Sequence, residues 1–127
     1  MNNYLLSGDE MHPEINLDAE NKVFKISGIS RPENPKNYFQ DCFEWVNSYL
    51  SDKENRQFHL EIFLDYFNTS SSKILLDMFE ILEDYQSKGK DTRVIWCYEE
   101  GDDELFEAGE ELLDLVDVPH EFKVIAE

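Results

Sequence analysis

The chain alternates between two hydrophobic periods, and each switch marks a boundary between elements. Residues 14–29 hold two short β-prone runs on either side of the turn-forming cluster Asp18-Ala19-Glu20-Asn21, which predicts a β-hairpin. The segment SRPENPKN contains two of the four prolines and reads as a loop. Beyond it Phe39, Cys42, Phe43, Val46 and Leu50 recur at helical spacing, which predicts an amphipathic helix over residues 36–51. From Gln57 to Phe67 the period drops to two, with Phe58, Leu60, Ile62, Leu64 and Tyr66 on one face and His59, Glu61 and Asp65 on the other. Phe63 and Phe67 interrupt the polar face, so the pattern predicts a central strand at least partly covered on both sides by packed helices.

The polar tract NTSSS leads into a second helix with Leu75, Met78, Phe79, Leu82 and Tyr85 as its apolar stripe, ended by Gly89. Residues 92–98, TRVIWCY, are nearly continuously apolar, as a buried strand would be. The acidic turn EEGDDE then opens a third helix whose inner face carries Leu105, Ala108, Leu112 and Val116. Pro119 lies beyond that helix, and HEFKVIA supplies a last short strand. The predicted order is β-β-α-β-α-β-α-β, an α/β fold with a mixed sheet, right-handed crossovers and helices packed on it.

A length of 127 residues leaves room for one domain. Eleven Lys and Arg against 29 Asp and Glu give a net charge of −18, which repels nucleic acid and anionic membrane surfaces. That charge serves either solubility or an acidic face for a basic partner. Nine Phe, six Tyr and two Trp within a 41% hydrophobic chain are too many for a disordered acidic tail. Trp45 and Trp96 read as core or interface packing. Cys42 and Cys97 fall within predicted elements without a CxxC pair or metal spacing, and read as reduced core thiols. The first residues carry neither a basic leader nor an apolar stretch of signal length, so a cytoplasmic location is expected.

The most distinctive local feature is Asn68-Thr69-Ser70-Ser71-Ser72, between the central strand and the second helix. One such residue suffices to cap a helix, and Ser71 or Ser72 is the expected cap, with Asn68 and Ser70 shaping the loop. The surplus hydroxyls form either a solvated loop or a phosphoacceptor at the positive end of the helix dipole. A phosphate there would bring about −1.5 to −2 charges and repel a docked protein without unfolding the domain. A hydrolase using Thr69 or Ser70 as nucleophile is the enzymatic alternative, but His12, His59 and His120 form no motif and no GxSxG, Walker, HExxH or GxGxxG pattern occurs. A constitutive acidic adaptor is the third. Residues 99–104 could attract a cation but lack EF-hand spacing, and Asp102 and Asp103 read more simply as helix-start residues. No cofactor or metal is expected.

LDYFNTSSSKILLDMFEIL (residues 64–82) resembles the signature of the SiaC family of bacterial regulatory phosphoproteins, and ISGISRPENPKNYF and WCYEEGDDELFEAGEEL fit it in the same order. The similarity runs from about Pro13 onward, which makes residues 1–12 an N-terminal extension and residues 13–127 the regulatory domain. His12 and Leu105 depart from the family's usual small hydroxyl residue and methionine. The resemblance implies a single STAS-like domain, similar to anti-sigma factor antagonists, that switches a partner rather than catalysing. A dedicated protein kinase would phosphorylate the threonine of the NTSS motif, here Thr69, with Ser70 as the fallback acceptor, and a PP2C-like phosphatase would reset it. Residues Asn68, Thr69, Ser70, Ser71 and Ser72 would form the partner-binding segment. The unphosphorylated form would activate a diguanylate cyclase, raising cyclic di-GMP and promoting biofilm.

Overall fold

A computed structural model describes residues 2–126 as a six-stranded sheet and three helices. The strands, in spatial and chain order, are β1 (Tyr4–Leu6), β2 (Glu14–Asp18), β3 (Val23–Ser30), β4 (Gln57–Phe67), β5 (Asp91–Glu99) and β6 (His120–Ile125). Helices α1 (Pro35–Ser51), α2 (Thr69–Ser87) and α3 (Asp103–Leu113) fill the crossovers after β3, β4 and β5. The first three strands pair antiparallel and the last four parallel, giving the mixed sheet that the alternating pattern predicts. Asp18 accepts the Asn21 N–H at 3.1 Å, and Lys22 takes φ of 57°, which turns the predicted hairpin.

The predicted order lacks β1. Tyr4–Leu6 has too few residues to establish a period, and its pairing with Ile15–Leu17 is a tertiary contact. The coverage of the central strand also differs from expectation. Strands β3 to β6 lie in sequential order, so three right-handed crossovers carry every helix to the same side. Phe24 and Phe58 meet Tyr49 of α1, Thr92 Oγ1 donates to the Leu82 carbonyl of α2 at 2.6 Å, and Trp96 Nε1 donates to the Leu105 carbonyl of α3 at 2.9 Å. On the opposite side Lys25, Glu61, Ile95 and Glu121 form a row across the strands without a helix over it. Phe63 sits half-buried on that side, so its apolar character reflects sheet packing rather than a second helical layer.

Tyr66 leaves the inner face assigned to it and is 52% exposed. The register of β3 against β4 shifts after Gly28, so Leu64 faces Gly28 and Tyr66 faces Ile29, with Asp65 as the extra residue. The displaced alternation turns Phe67 inward, edge-on to Trp96 at 5.8 Å. Cys42 lies in the core, where burial pushes its thiol up to about 12. Cys97 is also buried but occupies the helix-free side, and burial followed by the charge of Glu61 pushes its thiol upward. Both thiols are free.

Candidate functional site

The parallel strands deliver all three helix starts to one end of the sheet. Asn34 caps α1, Asn68 caps α2 and Asp102 caps α3, each accepting a backbone N–H from three residues on. This is the carboxyl end of the strands, where α/β sheets commonly present their binding residues.

The hydroxyl tract is the first turn of α2 rather than a loop before it. Asn68, not Ser71 or Ser72, is the cap: its Oδ1 accepts the Ser71 N–H at 2.9 Å, while its carbonyl accepts the Ser72 N–H at 3.0 Å. Ser71 cannot cap because it faces inward, one end of the stripe that continues through Ile74, Leu75, Met78, Phe79 and Leu82. Its Oγ donates to the Ser30 carbonyl at 2.9 Å and lies 2.8 Å from Ser30 Oγ, both side chains being buried. The Asn68 N–H reaches the same Ser30 carbonyl at 3.0 Å. The end of β3 is thereby clamped to the start of α2 by two donors on one oxygen. Ser72 is half-buried against the Asn68 carbonyl, 3.4 Å away.

Thr69 and Ser70 are the two hydroxyls left exposed. No described group accepts from their N–H groups, as expected of the first residues of a helix, and α2 carries no acidic residue in its first turn. Added negative charge here meets unpaired N–H donors and the positive end of a 19-residue helix. Asp65 and Tyr66 are exposed one strand-end away, and Lys73 stands four residues into the same helix.

The histidines are dispersed. His59 and His120 sit near the amino ends of β4 and β6, the former 3.1 Å from Asp91, and His59 lies ten residues of chain before Thr69, about 30 Å along an extended strand. His12 is held in the β1–β2 connection by Asp9 at 3.0 Å and by the Tyr38 ring, 4.6 Å between centroids. The acidic turn is used locally: Asp102 accepts the Leu105 N–H at 3.2 Å, and Asp103 and Glu104 occupy the first turn of α3. Among the described residues no group of three His, Cys, Asp or Glu is placed to hold a metal ion, and no helix is long and apolar enough to cross a membrane. The roles Trp45 and Trp96 take are packing ones, Trp45 stacking on Tyr49 at 5.2 Å.

Removing the cap is expected to weaken α2 without touching the exposed hydroxyls. Asn68→Ala should cost about 1 kcal/mol in urea unfolding, whereas Asn68→Asp should cost little. Equal stability of the alanine variant and the parent would exclude Asn68 as the cap.

Comparison with known proteins agrees with this geometry over nearly the whole chain. A curated protein of Pseudomonas aeruginosa (strain UCBPP-PA14), itself uncharacterized, is 30% identical over 111 residues, 87% of each chain. SiaC of Pseudomonas aeruginosa superposes with a TM-score of 0.85 at 29% identity, covering all of both chains. A chain in the crystal structure of the diguanylate cyclase SiaD bound to its activator SiaC, from the same organism, superposes with a TM-score of 0.89 at 27% identity, covering 96% of this chain and 99% of that one. The family model matches residues 6–127, so the likeness begins within β1, earlier than Pro13. With a sequence match of that extent and the matching mixed sheet, the chain belongs to the SiaC family of regulatory phosphoproteins.

Proposed function

We propose that this chain is a phosphorylation-switched activator of a diguanylate cyclase, with Thr69 as the acceptor. The observation that carries the assignment is the sorting of the hydroxyl tract: Ser71 is locked inside, Ser72 is half-buried, and Thr69 and Ser70 are presented outward. Thr69 occupies the first helical position, beside the end of the helix with free N–H donors. A protein kinase transfers the γ-phosphoryl group of ATP to Thr69 Oγ1, the hydroxyl proton leaving to a base on the kinase. A PP2C-like phosphatase hydrolyses the ester back to threonine and inorganic phosphate. Ser70 is the fallback acceptor. Asn68 to Ser72 form the contact segment, with Ser71 and Ser72 acting through the backbone they hold. Residues 13–127 carry the regulatory domain, and the segment before them adds β1 as an edge strand to its sheet.

The unphosphorylated protein binds and activates its cyclase in the cytoplasm, raising cyclic di-GMP and favouring biofilm. The pairing of an activator with its cyclase in a structure of the same fold supports this reading. The chain itself works by binding rather than catalysis: His59 and His120 stand at the amino ends of their strands, and His12, at the carboxyl end, has its Nδ1 3.0 Å from Asp9 and its ring against Tyr38. Phosphopeptide mapping of the protein recovered from its native cell tests the acceptor. The expected result is phosphate on Thr69; phosphate confined to positions outside 69 and 70 would overturn it.

A further inference from the structure

A groove of about 550 Å³ runs between α1 and α2 on the surface that these helices turn away from the sheet. Phe43, Ile74, Ile81 and Tyr85 form its floor, and Glu44, Asp77, Glu80 and Asp84 stand along its rims. The contributing positions of α1, from Lys36 to Asn47, form a single helical stripe about 16 Å long, or three turns. Both helices follow parallel strands and therefore point the same way, so the groove runs along their common direction. Tyr85 closes the far end by donating from its hydroxyl to the Asn47 carbonyl at 3.2 Å. At the near end the groove continues past Lys36, Ile74 and Asp77 into a hollow lined by Ser70 and Lys73.

We propose that this groove receives an amphipathic helix of the partner protein, apolar residues inward and lysines or arginines along its flanks. The occupant runs antiparallel to α1 and α2, so its negative C-terminal end lies over Lys36 and Lys73. The inference rests on the activator reading above and specifies how the partner is held. Apolar floor and acidic rims match an amphipathic basic helix in both chemistry and length. Asp84 already holds Lys88 at 2.9 Å, but that pair is exposed and yields to a competing cation at little cost. Orientation follows from charge: a helix end carrying partial negative charge favours the two lysines at the mouth. A phosphate on Thr69, the residue before Ser70 of that mouth, competes for Lys73 four residues along α2 and repels the same helix end.

The test uses the full chain, labelled with ¹⁵N, and a synthetic helix of about 14 residues with leucines at i, i+3, i+4 and i+7 and lysines on both flanks. A scrambled peptide of identical composition is the control for general attraction to a chain of net charge −18. The periodic peptide should bind at least about tenfold more tightly and shift amides along the facing stripes of α1 and α2. Ile81→Asp should weaken it about tenfold, as should Glu80→Lys with Asp84→Lys, whose two positions are exposed and leave the core untouched. Equal binding of the scrambled peptide, shifts on another face, or indifference to both variants would overturn the groove. The same variants are then compared for capture of the diguanylate cyclase. Loss of capture with folding intact supports the groove as the partner's seat. Undiminished capture overturns that assignment, and a parent chain that takes the peptide but no cyclase overturns the activator reading while the groove stands.

Discussion

Thr69→Glu is expected to release the cyclase, with affinity lower by about tenfold or more, whereas Thr69→Ala stays within about twofold of the parent. The side chain is exposed, and the cap belongs to Asn68, so neither substitution disturbs the start of α2. Removing a methyl and a hydroxyl there deletes little contact. A carboxylate adds negative charge that the helix end tolerates but a docked negative group does not. Binding measured for the two variants by calorimetry, alongside phosphorylated protein, separates charge from hydroxyl loss. Phosphorylated protein that binds as tightly as the parent would end the switch assignment, whatever the glutamate variant does.

Gly109→Val should destabilise the fold by about 3 kcal/mol. Gly109 is buried on α3, where an added Cβ would stand 2.5 Å from Trp96 Nε1 and 2.6 Å from two of its ring carbons. The indole has no room to retreat: it is fully buried, donates to the Leu105 carbonyl at 2.9 Å, and carries Phe67 against its ring. Either α3 lifts off the sheet or Trp96 leaves its rotamer. A glycine in a helix ordinarily costs about 1 kcal/mol relative to alanine, so replacing it would stabilise α3 if no contact intervened. The expected sign is therefore opposite to propensity. Urea unfolding followed by tryptophan fluorescence decides it, and a variant as stable as the parent would mean that α3 sits farther from Trp96.

Periodicity was enough to read the hairpin, the long strand and the first two helices, because each buries one stripe of apolar residues at a fixed repeat. It could not say on which side of the sheet the helices lie. That depends on strand order: sequential parallel strands send every right-handed crossover to the same face. Alternation alone places Tyr66 on the inner face; one extra residue, Asp65, reverses it, and nothing local distinguishes a bulge from a regular repeat. Hydroxyl richness marked the site, but not the roles within it. The missing signal was present at helical spacing: extending the stripe of Leu75 and Met78 back by one turn reaches Ser71, which assigns it inward and moves the cap to Asn68. The α1–α2 groove escaped altogether, since it needs residues from two helices that the chain separates by β4.

The double grip on the Ser30 carbonyl bears on timing. Two donors on one buried carbonyl hold the start of α2, so on the proposed reading a phosphate on Thr69 alters the exterior and leaves that clamp in place. On the proposed reading, output would follow the current ratio of kinase to phosphatase and keep no record of earlier stimuli.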